Sequence, residues 1–346
     1  MKNVVAYFLT LALALASVTV AALAEPIVIK VGHPSEADVR LPGSGITAGV
    51  LALKNFVEVE SNGEIVVEVH PNSSLGNPRT MIESAQAGAI QMVGAYTAIM
   101  VPFAPEVSVT QIPYIFKNNL VAWKVMNGPV GDELAQVFLD KTGLRVLGWA
   151  DGAGYRHIYS ENPVNGPEDL KGRKMRVPEN PGLLAMFRAW GANTITITWT
   201  ELYTGLQTGM AEGHDTELYS MYSAKLYEVN PHVTMTRHSF NLHPLLVNEE
   251  FLQSLSPKHR EIVLQGGDMY TRVANAHSMA SSLVVQNVMT EKGAKFHYPS
   301  DEQIAQFKAL GQQPYIDTIV KKIGPDTGQQ WVAKIIAAAN AAESEL

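Results

Sequence analysis

Arg156 and Arg176 are the residues of this chain whose type and setting most directly offer chemistry. Each lies in a short β-rich stretch, Tyr155–Tyr159 and Lys174–Val177, of an acidic chain with 26 Lys and Arg against 33 Asp and Glu. A guanidinium is a planar fork of donors that can grip both oxygens of a carboxylate, a geometry a lysine ammonium lacks. The same pattern fits an ordinary ion pair at a strand edge, so spacing alone leaves both readings open. Trp199, Tyr203 and Tyr219 have the size to wall such a pocket, and equally to fill a core. His214-Asp215 joins a base to a group able to orient it, but adjacent strand residues point to opposite faces. His232, His238 and His243 fall at spacings that match no helical or hairpin metal pair, so solvated or hydrogen-bonded histidines are expected.

Other chemistry is missing from the sequence. There is no Walker loop and no HExxH; Gly43, Gly45 and Gly49 do not give GxGxxG, and Gly43-Ser44-Gly45 lacks the GxSxG spacing. With no cysteine, disulfides, thiol catalysis and thiolate metal sites are excluded. No catalytic residue, cofactor or metal ligand is therefore assigned. A formal charge of −7 argues against general nucleic-acid binding, because an acidic surface repels phosphate backbones, though a local basic pocket for a small anion remains compatible.

The elements that must position these residues alternate between strand and helix, which favours an α/β architecture. Ile27–Val31 reads as a buried strand closed by Gly32-His33-Pro34, followed by a glycine-rich loop over Ser35–Gly49 and a helix over Val50–Val59. Ile65–Val69 alternates as a strand, and Thr80–Ala87 reads as a helix stopped by Gly88. Arg145–Trp149 and Tyr155–Tyr159 read as two strands joined by Asp151-Gly152-Ala153-Gly154, a connection suited to the chain's passage between domains. Lys174–Val177 is cut off by Pro178, which places Arg176 at the carboxyl end of a strand, where open α/β sheets hold ligands. Thr198-Trp199-Thr200-Glu201 matches a capping box for a helix from about Trp199 to Gln207. Ser256-Pro257 and Ser300-Asp301-Glu302-Gln303 mark two more helix starts, and Gln329–Ala342 an alanine-rich last helix. A length of 346 residues suits two domains.

The N-terminus has a basic start at Lys2, an apolar run from Val4 and the small-residue ending Ala22-Leu23-Ala24. This is the pattern of a cleavable secretory signal over 1–24, with the mature chain beginning at Glu25. The competing reading is an uncleaved anchor, disfavoured by the small, partly polar Ala16-Ser17-Val18-Thr19.

From Ile27 to about Gln265 the chain resembles the solute-binding proteins of tripartite ATP-independent periplasmic (TRAP) transporters, of the DctP type. The resemblance runs through Ser61-Asn62-Gly63-Glu64-Ile65, Pro113-Tyr114-Ile115-Phe116, Gly143-Leu144-Arg145-Val146-Leu147-Gly148 and Gly154-Tyr155-Arg156. It continues in Pro167-Glu168-Asp169-Leu170-Lys171-Gly172, Lys174-Met175-Arg176-Val177-Pro178, Gly191-Ala192-Asn193 and Leu206-Gln207-Thr208-Gly209. Each block is weak alone, and their order and spacing make them specific.

The resemblance implies a two-domain periplasmic-binding-protein-like α/β fold with a hinge and an interdomain cleft. The implied division is 25–151 plus about 242–281 for one domain, and 152–241 plus about 282–346 for the other. It implies capture of a small organic acid in the periplasm and delivery to TRAP membrane subunits. Arg176 is the implied carboxylate clamp, Arg156 its assistant, Trp199 a ring against the ligand, and Tyr96 and Thr97 a loop lining the cleft. His33, His214, Asp215, Thr216 and Tyr219 complete the expected binding set. Where the family reads D-G-Q-E-N, this chain has Glu212-Gly213-His214-Asp215-Thr216, so the usual asparagine amide is replaced by one hydroxyl. His214, Asp215 and Tyr219 then form an expected polar end opposite the arginines. Two other classes fit the same pocket: a ligand-sensing module for a membrane receptor, and an exported enzyme acting on organic acids. Neighbouring genes separate the first from transport, and turnover of a bound acid would mark the second.

Overall fold

The computed structural model describes residues 25–40 and 42–346; the expected secretory signal over 1–24 lies outside the described residues. In chain order the first elements are β1 (Ile27–Gly32), α1 (Gly45–Glu60), β2 (Ile65–His70), α2 (Pro78–Gln86), β3 (Met92–Gly94) and α3 (Thr97–Met100). A 3-10 helix over Pro105–Gln111 leads to α4 (Asn119–Met126), α5 (Pro129–Thr142) and the long strand β4 (Leu144–Ser160). Then come β5 (Lys174–Val177), α6 (Pro181–Ala189), β6 (Asn193–Thr196), α7 (Leu202–Gln207), β7 (Gly213–Glu217), α8 (Leu218–Ser223) and a second long strand, β8 (His232–Asn248). The chain ends with α9 (Glu249–Ser254), α10 (Pro257–Glu291), β9 (Lys295–His297), α11 (Asp301–Ile323) and α12 (Pro325–Ser344).

The strands join in the order β2-β1-β3-β8-β4-β7-β5-β6, with β9 on β8. Among the described strands only β4 and β8 run through both half-sheets. β3 pairs with the Leu245–Val247 end of β8, while β9 pairs with its His232–Thr234 end. β7 meets β4 only over Arg156–Ser160. The sheet is therefore two half-sheets sharing one antiparallel ribbon of two 17-residue strands. The two strands expected at 145–149 and 155–159 are one, because the Asp151–Gly154 link is a register shift inside a continuous ladder. Gly154 takes φ +84° there, a conformation that a side chain disfavours.

The Ser35–Gly49 segment is not all loop: α1 starts at Gly45, with the Ser44 side chain accepting from the Thr47 N–H. Its glycines serve packing, since a Cβ at Gly45 would lie 2.2 Å from Ser278 Oγ and one at Gly49 2.7 Å from the Tyr270 ring. They let α1 press flat on α10. That 35-residue helix, about 50 Å long at ~1.5 Å per residue, joins both halves. Val263, Tyr270 and Ala274 pack with β1 and α1, while Val285 and Met289 pack with Tyr159 and Val233 of the other half. The expected domain limits near 151, 241 and 281 thus fall inside continuous elements. α12 packs on α11, which lies on α6 of the second half, and also reaches α4 and α5 of the first, with ion pairs Lys117–Glu343 (2.5 Å) and Lys334–Glu133. Among the described residues no helix is long and apolar enough to cross a membrane.

Candidate functional site

The carboxyl ends of β5 and β7 and the start of β4's second half meet the β3–α3 turn of the first half at a small cavity. Its volume is about 30 Å³, and Pro78, Tyr96, Ala98 and Ile99 from the first half face Arg156, Arg176, Pro178, Trp199, Thr216, Glu217 and Ser220 from the second. It shares Tyr96, Trp199 and Ser220 with a neighbouring space of about 290 Å³ lined also by Ser35, Glu36, Asn72, Tyr203 and Tyr219. Both halves wall the site, so a molecule held here touches both.

Arg176 sits one residue before the end of β5, and Pro178, lacking an N–H, cannot extend the ladder. Its side chain is 4% exposed. Nε donates to the Ile197 carbonyl at 2.9 Å, and among the described residues neither terminal nitrogen has a protein acceptor. Burial is the main influence on this guanidinium and brings its pKa down from 12.5 to about 10. A buried cation facing a cavity without a carboxylate partner carries a charge that a bound anion would compensate.

Arg156 is equally buried but already occupied. Nε donates to Asp215 Oδ2 at 2.5 Å, Nη1 to Glu217 Oε1 at 3.0 Å and Nη2 to the Asp215 carbonyl at 2.6 Å. Burial alone would lower its pKa; Asp215 and Glu217 outweigh that and hold it above the ordinary value. Asp215 is held low against its own burial by Arg156 and by His238, 3.3 Å away. Strand register explains the pairing: Arg156 stands opposite Glu217 across the β4–β7 ladder, and Ile158 opposite Asp215.

Several expected binding residues therefore stand elsewhere. Asp215 is fully buried behind the wall, its Oδ2 shared by Arg156 and His238, and lines neither space. His214 lies flat on Tyr159, rings 4.9 Å apart, its pKa pushed to about 3 by burial and by Arg176. Thr97 is fully buried and donates to Asn241 Oδ1 at 2.9 Å. His33 is fully buried at the end of β1, its pKa lowered to about 4 by burial. The expected polar end formed by His214 and Asp215 is thus absent from the cavity surface. Arg176, Arg156, Trp199, Thr216 and Tyr96 line the small cavity, and Tyr219 the larger space.

Trp199 reaches the cavity through a local departure from the expected capping box. The Thr198 hydroxyl donates to Glu201 Oε2 at 2.7 Å instead of capping a backbone N–H. A 3-10 turn over Trp199–Glu201 results, and α7 begins only at Leu202. Tyr219, at the start of α8, donates to Glu36 Oε1 of the first half at 2.7 Å. A second link between the halves joins Arg79 Nη1 to both oxygens of Glu179 at 2.8 and 2.9 Å.

Sequence reasoning missed Glu217 and Ser220. Glu217 is 1% exposed and accepts from Arg156, from Asn241 Nδ2 at 2.6 Å and from the Thr216 and Ser220 hydroxyls, both at 2.9 Å. The signal was present as a carboxylate two residues beyond Asp215 in one strand, hence on the face of Arg156. The three histidines each have a separate neighbour: His232 bonds His297, His238 meets Asp215, and His243 packs edge-on against Tyr96.

Comparison with known proteins identifies the family and the fold. The family profile described as bacterial extracellular solute-binding protein, family 7 (DctP), matches residues 38–322. The C4-dicarboxylate-binding periplasmic protein DctP of Rhodobacter capsulatus is 31% identical over 331 residues, covering 95% of each chain. The fold of the sugar-acid-binding protein DctPAm of Advenella mimigardefordensis, solved with galactonate, superposes with a TM-score of 0.85 at 25% identity, over 92% of this chain and 99% of that one. A TRAP periplasmic solute-binding protein of Sulfurospirillum deleyianum, solved with succinate, gives 0.82 at 25% identity, over 90% and 99%. With the profile spanning most of its length and that relative aligned along both chains, this chain belongs to the DctP family of bacterial extracellular solute-binding proteins.

Proposed function

We propose that this protein captures a small organic acid in the cleft between its halves, in the periplasm, and delivers it to the membrane subunits of a TRAP transporter. The observation that carries the reading is Arg176: a buried guanidinium without an internal carboxylate partner, at a cavity walled by both halves. A ligand carboxylate there supplies the missing counter-charge, and its fork geometry suits two parallel hydrogen bonds. Arg156 supports from behind through its positive field, its own donors being spent on Asp215 and Glu217. Because the walls come from both halves, the acid binds the closed arrangement better than an open one, and its differential affinity drives closure. The protein holds and releases its acid unchanged. The relatives named above carry dicarboxylates and a sugar acid, which supports the class and leaves the particular acid to experiment.

The test is a thermal-shift screen of mono-, di- and sugar acids, followed by calorimetry on the parent and Arg176→Lys. An acid that binds only the folded protein raises its melting temperature. Arg176→Lys is expected to bind about 30-fold or more weakly while remaining folded, since losing a bidentate, desolvated partner costs ~2–5 kcal/mol. Near-parental affinity in that variant overturns the site.

A further inference from the structure

The hydrogen bonds behind the cavity have a direction that can be followed without seeing a hydrogen. The Thr97 hydroxyl accepts from the Leu242 N–H at 3.4 Å and donates to Asn241 Oδ1 at 2.9 Å. Gln111 takes an N–H from Asn180 on its Oε1 at 2.8 Å, so its amide nitrogen is the group donating to Asn241 Oδ1 at 3.1 Å. The Asn241 oxygen is thereby fixed toward Thr97 and Gln111, and its NH2 toward Glu217, 2.6 Å away. Glu217 then receives four donors: Arg156 and Asn241 on Oε1, and the Thr216 and Ser220 hydroxyls on Oε2.

An ionised carboxylate only accepts, and a hydroxyl has one hydrogen and two lone pairs. The hydrogens of Thr216 and Ser220 are committed to Glu217, so each oxygen has only lone pairs left to offer; the Tyr96 hydroxyl takes up part of that capacity at Ser220, which leaves Thr216 the freer acceptor. Thr216, Ser220 and the unpaired end of Arg176 line the same cavity of about 30 Å³. A group meeting Thr216 while a carboxylate sits on Arg176 therefore belongs to the same end of the acid. We propose that Glu217, by turning the Thr216 and Ser220 hydroxyls into acceptors, makes the pocket selective for acids with a hydroxyl on the carbon beside the carboxylate, against the same acid without it or with an oxo group there. An oxo oxygen would face lone pairs, and an unsubstituted carbon would leave them unpaired and dry. This rests on the reading of Arg176 as the carboxylate clamp. Glu217 is a positioning residue in it.

The test is calorimetry on matched acids in three sizes: lactate, propionate and pyruvate; 2-hydroxyglutarate, glutarate and 2-oxoglutarate; gluconate, 2-deoxygluconate and 2-oxogluconate. In the size class that fits, the hydroxy acid is expected to bind about 10- to 100-fold more tightly than either partner, because a site built to pair a hydroxyl rejects analogues lacking it. Thr216→Val, which keeps the shape and removes the oxygen, should erase most of that preference. Glu217→Gln frees the hydroxyl hydrogens and should narrow the gap between hydroxy and oxo acids, with circular dichroism confirming its fold; Ser220→Ala gives a second, milder probe of the same preference. Equal binding of all three acids, each weakened alike by Arg176→Lys, overturns this inference and leaves the clamp standing. A hydroxy preference unchanged in both Thr216→Val and Ser220→Ala overturns it too. Binding of no acid in any size class overturns the clamp itself.

Discussion

Replacing Arg176 by methionine should stabilise the ligand-free protein while abolishing acid binding. The guanidinium is buried, keeps one hydrogen bond to Ile197 and has its pKa brought from 12.5 to about 10 by burial. A depression of that size, at ~1.4 kcal/mol per pKa unit, means that the charged form costs roughly 3 kcal/mol at neutral pH. Methionine removes that cost and loses one hydrogen bond worth about 1 kcal/mol, leaving a net gain of about 1–3 kcal/mol. Arg156→Met should do the reverse: it strands Asp215 and Glu217, and breaking a buried pair costs about 3–5 kcal/mol. Urea unfolding of the two ligand-free variants, with circular dichroism as the probe, separates them by sign. If Arg176→Met unfolds several kcal/mol more easily than the parent, that guanidinium is a structural partner and not a clamp for a ligand carboxylate.

Three further outcomes follow from the same geometry. The Arg79–Glu179 pair and the Tyr219–Glu36 bond tie the halves together across the cleft; Arg79→Ala with Tyr219→Phe should weaken acid binding about two- to fivefold, as expected for a half-exposed pair worth up to ~1 kcal/mol, and enlarge the bound protein's radius of gyration by small-angle scattering; unchanged values would remove these contacts from closure. His33, with its pKa lowered by burial to about 4, contributes stability that is full above the unfolded value of 6.5 and is lost as pH falls toward 4; unfolding free energy should drop by about 1.4 kcal/mol per pH unit for this residue in that window, a slope that His33→Asn removes and that a flat profile would refute. Gly49→Leu should destabilise the protein by more than ~2 kcal/mol in urea titrations, because its Cβ would lie 2.7 Å from Tyr270 where α1 meets α10; a neutral effect would mean that the contact relaxes freely.

What could be read in the sequence was whatever depended on local chemistry. Pro178 ends β5 where Arg176 needs it to end, and Ser256 and Ser300 cap the helices they announced. What could not be read depended on partners distant in the chain. The glycines at 45 and 49 look like a loop until α10 is known to lie against them. Arg156 and Arg176 look alike in sequence; only the register of β4 on β7 gives two carboxylates to one and none to the other. Asp215 looked available for a ligand for the same reason, and Glu217 drew no notice because its role lies in four hydrogen bonds to three other elements and its own strand.

The central claim is that a carboxylate completes Arg176. The most direct measurement is a crystal structure of the protein with the acid that gives the largest thermal shift. Both carboxylate oxygens should lie within hydrogen-bonding distance of the Arg176 terminal nitrogens, about 2.7–2.9 Å, with Trp199 and Tyr96 against the ligand body and Arg156 still on Asp215 and Glu217. A carboxylate seated on other residues, with Arg176 left unpaired or turned onto an internal acid, would contradict it.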